Sequence, residues 1–161
     1  MSFDLYVVHL ENGDPAPAER RPVLDAFGQH GNVERHGDGF YDAFFDDGSH
    51  VQFSSKGLET DEDFDICGFQ LRNFTFPIMR FIYEVAVAGD MMVVNAQGHG
   101  TEESPSTIIV SEGQRQHLWR DPGVVRVVTS PVELAQALVG DVSAWQGYRD
   151  QVVVGPQGSA E

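Results

Sequence analysis

"GFYDAFFDDGSHVQFSS" (residues 39–55) carries the signal that decides the fold. Two runs rich in aromatic and alternating apolar residues flank Asp47-Gly48. That dipeptide favours a tight turn, because aspartate and glycine tolerate the left-handed backbone that short hairpin loops need. The pattern predicts an antiparallel hairpin. With Asp47 and Gly48 as the loop, Phe45 faces His50, Phe44 faces Val51 and Asp42 faces Phe53. One side then carries Phe40, Phe44, Val51 and Phe53. The other carries Tyr41, Ala43, Phe45, His50, Gln52 and Ser54. The first is the expected core face. This register turns Asp42 toward the core, where its carboxylate needs a hydrogen-bond partner or a place at the sheet edge.

Outward from the hairpin, "FDLYVVHL" (3–10) and "DICGFQLR" (65–72) read as strands, and "ENGDPAP" (11–17) as a turn. "AERRPVLDAFGQHG" (18–31) reads as a helix lined by Val23, Leu24 and Phe27 and ended by Gly31. In "NFTFPIMRFIYEVAVAG" (73–89), Phe74, Ile78, Phe81, Ile82 and Val85 follow helical spacing. Asn73 or Thr75 caps this helix, and Pro77 falls in its first turn. A helix apolar on so many sides is expected at the centre, packed on a sheet. "MMVVNAQ" (91–97), "TIIV" (107–110) and "GVVRVVT" (123–129) complete the strands, with a loop at 98–106 and a short helix at 111–119. In "SPVELAQALVG" (130–140), Ser130 is the N-cap, Pro131 is the first helical residue, Glu133 closes a capping box and Gly140 stops the helix. Asp141 then caps a further helix.

The order predicts an α+β fold: a mixed, largely antiparallel sheet with helices packed on at least one face. It begins like a split β-α-β unit with an inserted hairpin. No internal repeat or long linker divides the chain, so residues 1–154 form a single α+β domain, with a loose tail at 155–161.

The 161 residues are 41% apolar, enough surface for a core that offsets chain entropy. The net charge of −15 opposes unassisted binding to nucleic acid or to an anionic membrane. Cys67 is the single cysteine, so no intrachain disulfide forms. The N-terminus lacks a basic region followed by an apolar one, and a cytoplasmic location is expected.

The charge is concentrated. From Asp38 to Asp65, nine carboxylates stand against the one base Lys56, which places −8 in this segment. Its densest part is "LETDEDFD" (58–65). A run of carboxylates cannot be core, so this stretch is read as a surface loop that steers a basic protein partner. The expected interface takes in Glu59, Asp61, Glu62, Asp63 and Asp65, with Asp46 and Asp47 from the hairpin tip and Tyr41 and Phe64 as aromatic anchors. A calcium loop is disfavoured: "DEDFDICGFQLR" lacks the middle acidic position, the central glycine and the closing glutamate.

Catalytic signatures are missing. There is no G-x-S-x-G elbow, phosphate-cradling loop or dinucleotide fingerprint, and Cys67 reads as a small buried hydrophobe. No catalytic residue, metal ligand or cofactor is assigned. The alternative reading is a small enzyme or metal-binding protein built on His36, His50, Asp38 and Asp42 around the hairpin, although no H-x-H or H-x-x-x-H pair supports it.

Small size, high acidity, the opening "MSFDLYVVHL" and the ending "VVRVVTSPVELAQAL" together resemble bacterial immunity proteins, which neutralise toxins. These proteins share no single motif, so no residue role transfers. The resemblance implies a non-enzymatic protein that binds and occludes a cognate basic toxin, with a nuclease as the natural target.

Overall fold

The computed structural model describes the backbone of residues 2–160 and the side chains of residues 2–148. Strand β1 (Phe3–Val8) leads through a small ribbon, β2 (Leu10–Glu11) and β3 (Asp14–Pro15), to helix α1 (Arg20–His30). Four strands follow: β4 (Asn32–Arg35), β5 (Phe40–Phe44), β6 (His50–Ser54) and β7 (Ile66–Leu71). Then come α2 (Phe76–Ala88), β8 (Met92–Asn95), β9 (Thr107–Ile109), a short 3-10 helix (Glu112–His117), β10 (Val125–Val127) and α3 (Pro131–Ala160).

Eight strands make one sheet in the order β10-β9-β8-β1-β7-β6-β5-β4. Neighbours are antiparallel except β9 and β10, which run parallel. The sheet is therefore mixed and largely antiparallel, as the sequence predicts. The topology differs from a split β-α-β start, because β1 lies between β7 and β8 and is antiparallel to both. Strand β4, which has no clear apolar alternation, is an addition to the sequence reading.

Alternation in β1 sets the two layers. Phe3, Leu5 and Val7 are fully buried on one face, while Asp4 and Tyr6 point to the other. All three helices pack on the first face. Helix α2 is central and touches both α1 and α3. Thr75 precedes it in an extended conformation, Pro77 sits in its first turn, and Ile78, Met79, Phe81, Ile82, Val85 and Ala86 are buried. The Phe81 ring lies 5.6 Å from Phe27, 5.7 Å from both Phe45 and Phe53, and 6.2 Å from Phe69. These rings join α1, α2 and the sheet into one core.

Helix α3 starts with Ser130 as its N-cap, as predicted, but Glu133 reaches back to Thr129, one residue before the N-cap, rather than closing the capping box on Ser130. Ser130 Oγ accepts from the Glu133 N–H at 3.2 Å, while the Glu133 carboxylate accepts from Thr129 N–H and Oγ1 at 3.0 Å. The helix then runs through Gly140 and through most of the segment read as a tail, to Ala160; Glu161 lies outside the described residues. Asp141 is not a cap. It is buried, and it accepts from Asn95 Nδ2 at 2.8 Å and from Ser104 Oγ at 2.8 Å. Gly140 does not end the helix because this anchor, with Trp145 packed in edge-to-face contact with Phe3 and Phe74, holds the next turns against the body.

The hairpin at 39–55 exists, but its register is shifted by one residue. Ala43 pairs with Val51, Tyr41 with Phe53, and Phe44 with His50. The loop has three residues, Asp46-Asp47-Gly48. The Phe45 N–H donates to Ser49 O and the Gly48 N–H to Phe45 O, both at 3.0 Å, with Gly48 left-handed at φ 85°. Tyr41, Ala43, Val51 and Phe53 therefore face the core, and Phe40, Asp42 and Phe44 face outward. Both faces carry aromatic rings, so alternation alone did not distinguish them. Phe27 of α1 does, by packing on Tyr41 and Phe53 at 5.9 and 5.2 Å.

Candidate binding face on the open side of the sheet

The face away from the helices is covered at one end. There Val8, Leu10, Met92 and Ile109 form a second small cluster, closed by Leu118 and Trp119. Over β1, β7, β6 and β5 the face is open, and four residues line up across it: Tyr6, Gly68, Ser54 and Phe40. Phe40 is 60% exposed, Tyr6 37% and Ile66 37%. Gly68 and Ser54 place no large side chain between the two rings, and the Tyr6 ring lies over Gly68. A Cβ on Gly68 would lie 3.2 Å from Tyr6 Cε1, so glycine lets that ring rest on the sheet here without shifting. The result is a groove of about 720 Å³, walled by the 37–39 and 55–62 loops.

The acidic stretch forms the second wall. Gly57, with φ 83°, starts a loop that folds back on itself: a Cβ there would come within 2.3 Å of Asp63 O. The Ala18 N–H donates to Phe64 O at 2.7 Å, Arg20 Nη2 bonds Glu62 O, and the His9 N–H donates to Asp65 O at 2.9 Å. Pinned in this way, Asp61, Glu62 and Asp63 are exposed and Asp65 is half-buried.

Glu59 is committed within the molecule. Its carboxylate accepts from Arg35 Nε at 2.8 and 2.9 Å and from the Tyr41 hydroxyl at 2.9 Å. Burial pushes its pKa upward, but the Arg35 and Tyr41 bonds and the Arg35 charge outweigh that and hold it below the usual 4.5. Burial first, then the bond to Glu59, raises the Tyr41 phenol well above its ordinary value. A lowered carboxylate pKa stabilises the fold above its unfolded value, and the contribution is lost as pH falls through the folded value. Glu59→Gln is therefore expected to lower stability above about pH 4.5, with the difference from the unaltered protein vanishing as pH falls below it, as read by urea denaturation at several pH values.

The expected interface is only partly assembled. Tyr41 and Phe64 are 4% and 0% exposed, so neither ring can anchor a partner; this corrects both assignments. Phe64 is buried because the loop closes over it and lays it on the core. Asp46 and Asp47 are exposed but stand at the far end of the β5–β6 hairpin, separated from the acidic loop by more than the roughly 13 Å length of β6 at about 3.3 Å per residue. Asp47 caps its own turn instead, accepting from Ser49 N–H at 2.9 Å; the Ser49 hydroxyl, then its N–H, hold its pKa low. Phe40 is the exposed ring that the sequence reading missed, because the shifted register had placed it in the core.

The histidines of the alternative reading go separate ways. His36 Nε2 meets Asp42 Oδ2 at 2.7 Å, and His50 stacks on Phe44 at 5.5 Å. Asp42 lies on β5, paired with β4 on one side and β6 on the other, and it faces outward rather than toward the core as the sequence register predicts; its Oδ1 is buried without a hydrogen bond among the described residues. Among these residues, no three His, Cys, Asp or Glu side chains gather as a metal-holding group. The purified protein is expected to hold no stoichiometric zinc or calcium, and a chelator to leave its melting temperature unchanged; one equivalent by elemental analysis overturns this. Cys67 is fully buried, and burial, against the Ser55 hydroxyl bond, pushes its thiol up to about 12.

Fold and face define a two-layer α+β protein with helices on one side of the sheet and an aromatic, acid-rimmed groove on the other. Comparisons of the chain with protein-family models, curated proteins and solved structures found no match in any of the three. No helix among the described residues is long and apolar enough to cross a membrane.

Proposed function

We propose that this is a non-enzymatic binding protein for a basic protein partner, of the kind that neutralises a toxin by occlusion. One observation carries the reading. Asp61, Glu62 and Asp63 are held outward by a loop that Gly57, Ala18 and Arg20 fix in place, beside exposed aromatic rings. A fixed, predominantly acidic patch next to apolar surface steers an oppositely charged protein and then gives it a surface to bury. Exposed carboxylates add little to folding, so their placement fits recognition better than stability.

The test is capture of the partner, followed by kinetics on the variant with Asp61, Glu62 and Asp63 changed to amides. Stability is expected to stay within about 0.5 kcal/mol. Association is expected to slow about tenfold at low salt, and the difference to shrink as salt rises past a Debye length of about 8 Å. Equal association rates at both salt concentrations would remove the acidic loop from the interface.

A further inference from the structure

We infer that the open sheet groove between Tyr6 and Phe40 is the seat of an arginine side chain from a protein partner. The inference rests on the proposed reading of a basic partner and adds where it docks and through what chemistry.

The groove has the dimensions and walls of such a seat. Tyr6 on β1 and Phe40 on β5 are three strand spacings apart, about 14 Å between backbones. Between them stand only Gly68, beneath the Tyr6 ring, and Ser54, so that ring and Ser54 form the floor on which an extended side chain can lie. Ile66 adds an apolar edge for the methylene stem.

Charge selects the head group. The groove is lined by the carboxylates of Asp38, Glu59 and Glu62 against the bases Arg35 and Lys56. Arg35 is spent on Glu59 at 2.8 Å, and Lys56 lies 4.0 Å from Glu62, with both side chains exposed. Asp61 and Asp63 continue the negative rim. The lining carries three carboxylates against two bases, and Asp61 and Asp63 beyond it keep the local balance negative, which favours a cation over an anion. Exposed rings favour guanidinium over ammonium, because the flat, weakly hydrated guanidinium stacks on an aromatic face. The acidic loop then acts as the guide and the sheet face as the seat, which divides association from dissociation.

The test is an amide NMR titration of the full chain with blocked glycyl-arginyl-glycine and with its neutral citrulline counterpart. Shifts are expected at Tyr6, Phe40, Ser54 and Gly68, with the arginine peptide binding about fivefold tighter than the citrulline one. Ser54→Phe, which fills the floor from an exposed position, is expected to abolish the shifts. Phe40→Ala, at a ring 60% exposed, is expected to weaken them about threefold and serves if Ser54→Phe folds poorly. Equal affinity for citrulline, shifts confined to residues 59–63, no shifts, or insensitivity to both variants would overturn the inference. Failure of this inference alone is distinguishable from failure of the parent reading. If a captured basic partner binds the Ser54→Phe and Phe40→Ala proteins as it binds the unaltered one, the partner reading stands and this face is not its seat.

Discussion

Phe81→Ala is expected to destabilise the protein by about 3–5 kcal/mol, measured as a shift of the urea midpoint at unchanged slope. Phe81 is fully buried and its ring meets Phe27, Phe45, Phe53 and Phe69. Its ring thus joins α1, the end of the β5–β6 hairpin and the sheet. Truncation removes the transfer free energy of the ring and leaves a cavity that four other rings cannot close without abandoning their own contacts. Phe81→Leu should recover part of the loss, because it refills most of the volume. A loss below about 1 kcal/mol for the alanine variant would mean the core is not built around this residue.

Asp141→Ala is expected to cost about 2–4 kcal/mol, with Asp141→Asn costing about half as much. The carboxylate is buried and accepts from Asn95 Nδ2 and from Ser104 Oγ. Asn95 in turn accepts from the N–H and side-chain amide of Gln97, and Gln97 bonds both backbone groups of Asp4. Removing Asp141 leaves two buried donors short of their acceptor and frees α3 from the loop at 98–106. An asparagine side chain still offers one acceptor, hence the smaller effect. Differential scanning calorimetry of the two variants checks the ranking, and an alanine variant no weaker than the asparagine one would contradict it.

Neither of these two residues belongs to the proposed interface, so their variants separate folding from recognition. The amide triple variant at 61–63 should do the reverse, keeping the fold and losing the guide. Phe40→Ala belongs with it, because a ring that is 60% exposed contributes little to the core.

By itself the sequence determined those elements whose signal is local. Helix α2 was legible because Phe81, Ile82 and Val85 repeat with helical period behind Pro77, and β1 because its apolar residues alternate. The start of α3 was legible from Ser130, Pro131 and Glu133, and the existence of the hairpin from Asp47-Gly48. The α+β class followed from their order. The tertiary structure decided what depends on a distant partner. The hairpin offered two faces with similar aromatic content, and a slip of one residue exchanges them. Phe27 of α1 settled the choice by packing on Tyr41 and Phe53, which sent Phe40 outward. Gly140 reads as a stop, yet the bonds of Asp141 to Asn95 and Ser104 carry the helix past it. Phe64 reads as exposed among carboxylates, yet the loop that Gly57 allows to close turns its ring inward. In each case the local propensities were nearly balanced. Burial of one large side chain, or bonding of one buried carboxylate, contributes about 2–3 kcal/mol, more than the few tenths that separate the local alternatives.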